Sequence, residues 1–340
     1  MGRIGYRHLS AEEQKIYTKL EAAFDRYSPT VDVSGTPRNI DLIKILNVVL
    51  GDRPDVIYFD KNKPITTTRT LGSMQLKFND VISASRAKAM QQKLHEDLDN
   101  AVREIELLNP MTDFDKLMCI YEYLQDRLTY NKKELERLSR GLPSNAEAHN
   151  AYGTLRNNTG VCDGIASAFA LLAEKMGFEC CVVTGQSLNE FTTSAIQHAW
   201  NIVRIGNRYF HCDLTWDICG KMTMGCYYYT YLCVDDTTLG SDHDWDVRYT
   251  PACNSSEFSF YKKNQCVANN LSHLDAILLR YAKSKQTVVR VKIAEGIPVP
   301  YPQQDFMLQK MMDAAATANR YGQLHGSWND NARCFTCVLS

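Results

Sequence analysis

Two short alternating segments, divided by one glycine–asparagine pair, constrain this chain more than any other stretch. His198-Ala-Trp-Asn-Ile-Val-Arg-Ile205 and Arg208-Tyr-Phe-His-Cys-Asp-Leu-Thr-Trp216 flank Gly206-Asn207. The pattern predicts a two-residue β-hairpin of type I′ or II′. Such a turn sets the register, with Ile205 opposite Arg208, Trp200 opposite Asp213 and His198 opposite Thr215. His198 and Asp213 then share a face as diagonal neighbours. Their Cβ atoms would lie roughly 5.5–8 Å apart, within reach of an imidazole–carboxylate hydrogen bond. A bulge or a three-residue loop would flip one strand and separate them.

Upstream, Gly160-Val-Cys-Asp-Gly164 precedes Ile165, Ala166, Phe169, Leu172, Ala173 and Met176, and Gly177 follows. The spacing predicts an amphipathic helix with Cys162 at its N-terminal end and Gly177 as its stop. Unpaired N–H groups and the positive end of the helix dipole favour a thiolate there. The negative charge of Asp163 next door opposes it. Alone, Cys162 reads better as a small packed residue, and His198 or Asp213 alone as a polar residue satisfied on a sheet surface. Together the three types have a chemical reason. An imidazole accepts the thiol proton, a carboxylate orients the imidazole, and the backbone N–H of Cys162 can meet an oxyanion.

At these residues the sequence resembles the transglutaminase-like superfamily, whose core is a papain-like thiol fold. The likeness rests on Gly160-Val-Cys162-Asp-Gly164 with its helix, His198-Ala-Trp-Asn201, and Tyr209 through Asp217, in family order and spacing. Asp242-His243, Pro251-Ala-Cys-Asn254, the stretch Asp113 to Tyr130 and the stretch Tyr6 to Phe59 look like the flanking segments of bacterial members. The resemblance implies that Cys162 is the nucleophile, His198 the general base and acid, and Asp213 the orienting carboxylate. Tyr152 is the candidate second oxyanion donor, or else an aromatic packed below the site. Asp163 and Trp200 are further candidates for oxyanion or substrate contacts. The implied reaction is thiol-dependent acyl transfer on a peptide or amide carbonyl of a peptide or protein substrate, with cysteine peptidase or amidase hydrolysis foremost. Amine-acceptor crosslinking, an acetyl-carrier-dependent transferase, and a peptide-binding module without turnover on the same fold are the alternatives. No cofactor, metal or calcium requirement is expected.

Along the chain three blocks are expected, residues 1–110, 111–266 and 267–340, in an α+β fold whose central block is the papain-like, transglutaminase-like core with α/β extensions on either side. In the first, Ser10-Ala-Glu-Glu13 should cap a helix, Ile40 to Leu50 should form a second helix ended by Gly51, and Val56–Phe59 and Thr66–Phe78 read as strands. A charged helix should cover Ala84 to Leu108. In the second, a helix from Asp113 to Leu128 precedes a polar surface loop, Asn131 to Ala148. A strand, Phe178 to Thr184, leads into a polar loop, Gln186 to Gln197. The third should hold helices at His273–Ala282 and Phe306–Ala318 and strands at Thr287–Ile293 and Cys334–Leu339.

Composition narrows the function classes. With 38 basic and 39 acidic residues among 340, net charge −1, no positive field steers the chain to nucleic acid. No apolar run approaches the roughly 20 residues of a membrane span. Twelve cysteines are too few for a disulfide-stapled chain. The opening MGRIGYRHLS lacks an apolar core of a secretory signal, so a cytoplasmic location is expected, or a secreted or cell-surface one if a signal segment was removed. Cys334-Phe-Thr-Cys337 is a lone C-x-x-C and suits a terminal strand better than zinc. Asp242, Asp244 and Asp246 begin like a calcium loop, yet Val247 stands where glycine is needed and Cys253 where the bidentate glutamate belongs. His211 is a second site histidine or, more readily, a packed one, and His149 is assigned no role.

Overall fold

The computed structural model describes residues 2–189, 192–284 and 286–339. Ser10 opens α1 (Ala11–Asp25). Its hydroxyl accepts the Glu13 N–H while the Glu13 carboxylate accepts the Ser10 N–H, the reciprocal cap the sequence predicts. With β1 (Thr30–Asp32), α2 (Leu42–Asp52), β2 (Thr66–Thr70) and β3 (Ser73–Lys77), it builds a small unit around an antiparallel sheet of order β1-β3-β2. Val56–Phe59 is not a strand. Its apolar run serves a knot of rings: Tyr58 and Phe59 are buried beside Phe24, and Phe59 stacks on Phe78 at 4.6 Å. α2 also runs through Gly51 instead of stopping there. A Cβ at residue 51 would stand 2.3 Å from the Val182 carbonyl oxygen, so the missing side chain lets α2 lie against the central sheet.

α3 (Ala84–Glu106) joins two cores. Ala87 belongs to that of the first unit, and Leu94, Leu98, Ala101 and Ile105 to that of the central one. The central elements are α4 (Asp113–Arg127), β4 (Thr129–Tyr130), α5 (Lys132–Ser139), α6 (Ala151–Asn157), β5 (Thr159–Gly160), α7 (Cys162–Lys175), β6 (Glu179–Asn189), β7 (Thr192–Ile205), β8 (Arg208–Cys212), α8 (Leu214–Met224), β9 (Leu232–Val234), α9 (Asp236–Leu239), β10 (His243–Asp244) and α10 (Phe260–Lys263). Five of the strands form an antiparallel sheet in the order β10-β6-β7-β8-β9.

Two expected loops are ordered elements. Within 131–148, Asn131 caps α5 through the Glu134 N–H, and Ala146–His149 forms a 3-10 turn. The expected loop at Gln186–Gln197 is mostly strand, because β6 and β7 run on as a pair, Gln186 opposite Gln197 and Ser187 opposite Ile196. Its residues 190 and 191 lie outside the described residues. Ser187 is buried there but Gln186, Leu188, Ile196 and Gln197 are exposed, so apolar alternation carries no signal.

α7 covers one face of the sheet, with Ile165, Phe169 and Leu172 packed on Cys180, Val203, Phe210 and Cys212. Gly177 ends it at φ +95°. The opposite face, carrying Cys181, Val183, Trp200 and Ile202, shares a core with the last block. That block is β11 (Val267–Ala268), α11 (Leu271–Lys283), β12 (Val288–Ile293), α12 (Gln303–Thr317), β13 (Leu324–Asn329) and β14 (Cys334–Leu339), with sheet order β11-β12-β14-β13. Cys334 and Cys337 lie on the terminal strand, both as free thiols. β13 was not expected, since Leu324–Asn329 has only half-buried alternation. The architecture is the predicted α+β class. Among the described residues no helix is long and apolar enough to cross a membrane.

Candidate functional site

The hairpin keeps the register its turn dictates, from Ile205 opposite Arg208 to Asn201 opposite Cys212. Gly206 takes φ +60°. The strand then ends one residue before Asp213, so the expected pairs Trp200–Asp213 and His198–Thr215 do not form. Asp213 is instead the N-cap of α8, its Oδ1 accepting the Trp216 N–H at 3.1 Å. A short carboxylate just before Leu-Thr-Trp satisfies an orphan donor of that helix better than a ladder position would. The other oxygen, Oδ2, meets His198 Nε2 at 2.6 Å, and both residues are buried. The neighbourhood argued from the hairpin therefore survives although the strand does not.

Cys162 is the first residue of α7, half-buried, and Val161 before it offers no side-chain cap. After Asp213, the Cys162 thiol is the next group that favours charge on the His198 ring. Asp213 engages Nε2, so Nδ1 is the ring nitrogen not committed to that carboxylate. Burial disfavours a charged His198, but the charge and hydrogen bond of Asp213, and then Cys162, overcome it and push the imidazole up to about 9. Burial would raise Asp213, yet His198 and then His243 hold its carboxyl well below the usual range.

The other sequence-derived candidates fare differently. Trp200 is 1% exposed and its indole N–H donates to His211 Nδ1 at 3.1 Å, so it has neither surface nor donor for a substrate. It stacks on His198 instead, with centroids 6.0 Å apart at 23°. Tyr152 sits against the central core with the Arg156 guanidinium 5.4 Å over its ring. Among the described residues its hydroxyl makes no hydrogen bond, and packing is the place the structure gives it. Asp163 accepts from the Gly164 N–H and pairs through both oxygens with His149 Nδ1, each at 3.0 Å. An acceptor so engaged is no oxyanion donor.

Four residues escaped the sequence reading. His149, assigned nothing, lies between Asp163 and Glu134. Burial works against its charge, but the hydrogen bond and charge of Asp163, then Glu134, raise its pKa. Tyr130 stands beside Gly160 in the short β4–β5 pair, and burial with the nearby Cys162 thiol drives its phenol far up. His243 and Asp242, noted as a flanking likeness, are both buried, His243 against Asp213 and Asp242 against His243. The dipeptide was visible; its distance along the chain concealed the contact.

Two groups of side chains are compact enough to suggest an ion, His198–Asp213–His243 and His211–Asp236–Cys253. Both are hydrogen-bond networks. In the second, His211 Nδ1 accepts from Trp200 and Nε2 faces Asp236 Oδ1 at 2.9 Å, which uses both nitrogens of a neutral ring. Burial, named first among its causes, lowers the His211 pKa accordingly.

A buried imidazole held by a carboxylate, with a helix-end thiol acting on its charge, has the groups that thiol chemistry calls for. Residues 101–214 match the family model of the transglutaminase-like superfamily, and Cys162, His198 and Asp213 all fall within the matched stretch. No curated protein matches in sequence. Among solved structures, a TGase is similar over 44% of this chain and 43% of its own, at 13% identity and TM-score 0.33. A candidate cysteine protease of Cytophaga hutchinsonii is similar over 45% of this chain and 61% of its own, at 14% identity and TM-score 0.29. A candidate protease of Parabacteroides distasonis covers 46% and 40%, at 12% identity and TM-score 0.22. The chain thus spans less than two thirds of each of these proteins.

Proposed function

We propose that this protein is a thiol-dependent acyl-transfer enzyme acting on peptide or amide carbonyls, with water as the preferred acceptor. Cys162 is the nucleophile, His198 the general base and acid, and Asp213 the carboxylate that fixes the ring. The observation that carries the reading is the 2.6 Å contact of Asp213 with His198 Nε2, which leaves Nδ1 to act on the half-buried Cys162 thiol at the start of α7. The superfamily match over the same residues supports it.

The thiol gives its proton to Nδ1, and the sulfur attacks the carbonyl carbon. The oxyanion formed is met by the Cys162 N–H at the start of α7. Collapse of the tetrahedral species breaks the C–N bond, and the leaving amine takes the proton from Nδ1. Water then loses a proton to the same nitrogen, attacks the thioester and releases the acid, restoring the thiol. A primary amine entering in place of water would give a crosslinked product instead.

The test is iodoacetamide labelling of Cys162, followed by peptide mass spectrometry. An isolated thiol of pKa ~8.5 is about 1% ionised at pH 6.5, so an ion pair should label on the order of fifty times faster there. His198→Ala should remove that advantage. Equal rates in the two proteins would falsify the assignment.

A further inference from the structure

A second imidazole stands behind the first. His243 Nε2 lies 3.1 Å from Asp213 Oδ2, and its Nδ1 lies 2.5 Å from Asp242 Oδ1. The second oxygen of Asp242 accepts the Tyr231 hydroxyl at 2.6 Å, and the Tyr231 oxygen accepts from the Asn329 amide at 3.1 Å. His198, Asp213, His243, Asp242 and Tyr231 are all buried. One file of hydrogen bonds thus runs from β7, through the cap of α8 and β10, to β13 of the last block.

The protons on this file follow from its geometry. Ionised carboxylates only accept. Both oxygens of Asp213 and both of Asp242 face donors, through Trp216, His198 and His243 on one and Tyr231 and His243 on the other. A ring with a carboxylate at each nitrogen must donate from both, and only the imidazolium can. The His243 imidazolium then balances Asp242, and Asp213 is left to balance the charge His198 gains when it takes the thiol proton. Without His243 an excess negative charge would remain close to the thiol, where a further anion must form.

We propose that His243 is a positioning residue of the acyl-transfer centre: as an imidazolium it clamps Asp213 onto His198 and balances Asp242, so that the Cys162–His198 ion pair forms at lower pH. This rests on the function proposed for Cys162, His198 and Asp213. Burial opposes charge on His243, but the hydrogen bonds it donates to Asp213 and Asp242, with their charges, outweigh it and push the ring up to about 9. The groups facing it are Asp213 at the start of α8, Asp242 beside β10, Tyr231 ahead of β9, His198 on β7 and His211 on β8. The rings of Trp200 and Trp216, at 5.1 and 4.7 Å, wall it off.

The experiment uses the full chain and follows iodoacetamide labelling of the Cys162 peptide from pH 4.5 to 9.5. The expected result for His243→Gln is a labelling midpoint raised by about one pH unit, read as roughly tenfold slower labelling on the acidic limb. Asp242→Asn combined with His243→Gln removes both charges and should recover part of that shift, which a purely structural defect would not. A folded His243→Gln protein with the wild-type midpoint overturns the proposal, as does a double variant shifted as far as the single one. A second measurement needs no variant: 15N NMR of histidine-labelled wild-type protein at pH 7 should show both His243 nitrogens protonated, and a neutral-ring pattern overturns the proposal. The two readings fail separately. Labelling indifferent to His198→Ala removes the acyl-transfer function and this role with it; labelling that needs His198 but not His243 removes this role alone.

Discussion

Asp213 serves a helix with one oxygen and two imidazoles with the other. Asp213→Asn keeps an acceptor for the Trp216 N–H but deletes the charge between two buried cations. Breaking such a pair costs about 3–5 kcal/mol. Urea unfolding should register that loss, and Cys162 labelling at pH 6.5 should fall toward the rate of His198→Ala. Its nearness to His198 was legible in the sequence because a two-residue turn fixes which positions share a face. Its capping role was not, because the same Asp-Leu-Thr-Trp residues satisfy a strand pattern equally well. Trp200 was misjudged for a related reason: an aromatic beside a reactive histidine can line a cleft or fill the core, and only the His211 acceptor decides. His243 had no local signal, since its partner Asp213 lies thirty positions away in the chain.

At the scale of elements, the β7–β8 hairpin is the device that brings His198 to Asp213. Gly206→Ala places a side chain at φ +60° and should cost about 1–2 kcal/mol while labelling of Cys162 keeps its dependence on His198. One extra residue inserted after Asn207 should do the reverse of a mild defect. It shifts the register by one and turns His198 from its face, so the protein should retain helix by circular dichroism but lose rapid labelling. Elements with one buried face were readable: the capped α1, α7 with its glycine stop, the hairpin and β14. Those whose surroundings were the signal were not. Val56–Phe59 has strand-like residues but buries them in a ring cluster, and β6 and β7 extend beyond the core where alternation has nothing to report.

For the whole molecule, the paired imidazoles tie stability to pH. His198 and His243 both rise to about 9 from an ordinary 6.5. Below about 6.5 folded and unfolded chains are both protonated, and the full contribution is present. Between there and about 9 only the folded chain holds the two protons, so stability falls as pH rises and the contribution is gone above 9. Asp217 and Glu174, each raised to about 7 chiefly by burial, slope the same way and add to the lower part of that decline, up to about pH 8. The melting temperature should therefore decline from pH 7 to 9.5, and His243→Gln should flatten that decline; an equally steep fall in the variant would contradict it. The file of contacts from His198 ends at Asn329, more than a hundred residues after Asp213. Ribosomal synthesis therefore delivers sulfur, first ring and carboxylate long before their farthest brace has been made. A chain halted in that interval would hold Cys162, His198 and Asp213 without that brace, so their final arrangement waits on the β13–β14 hairpin.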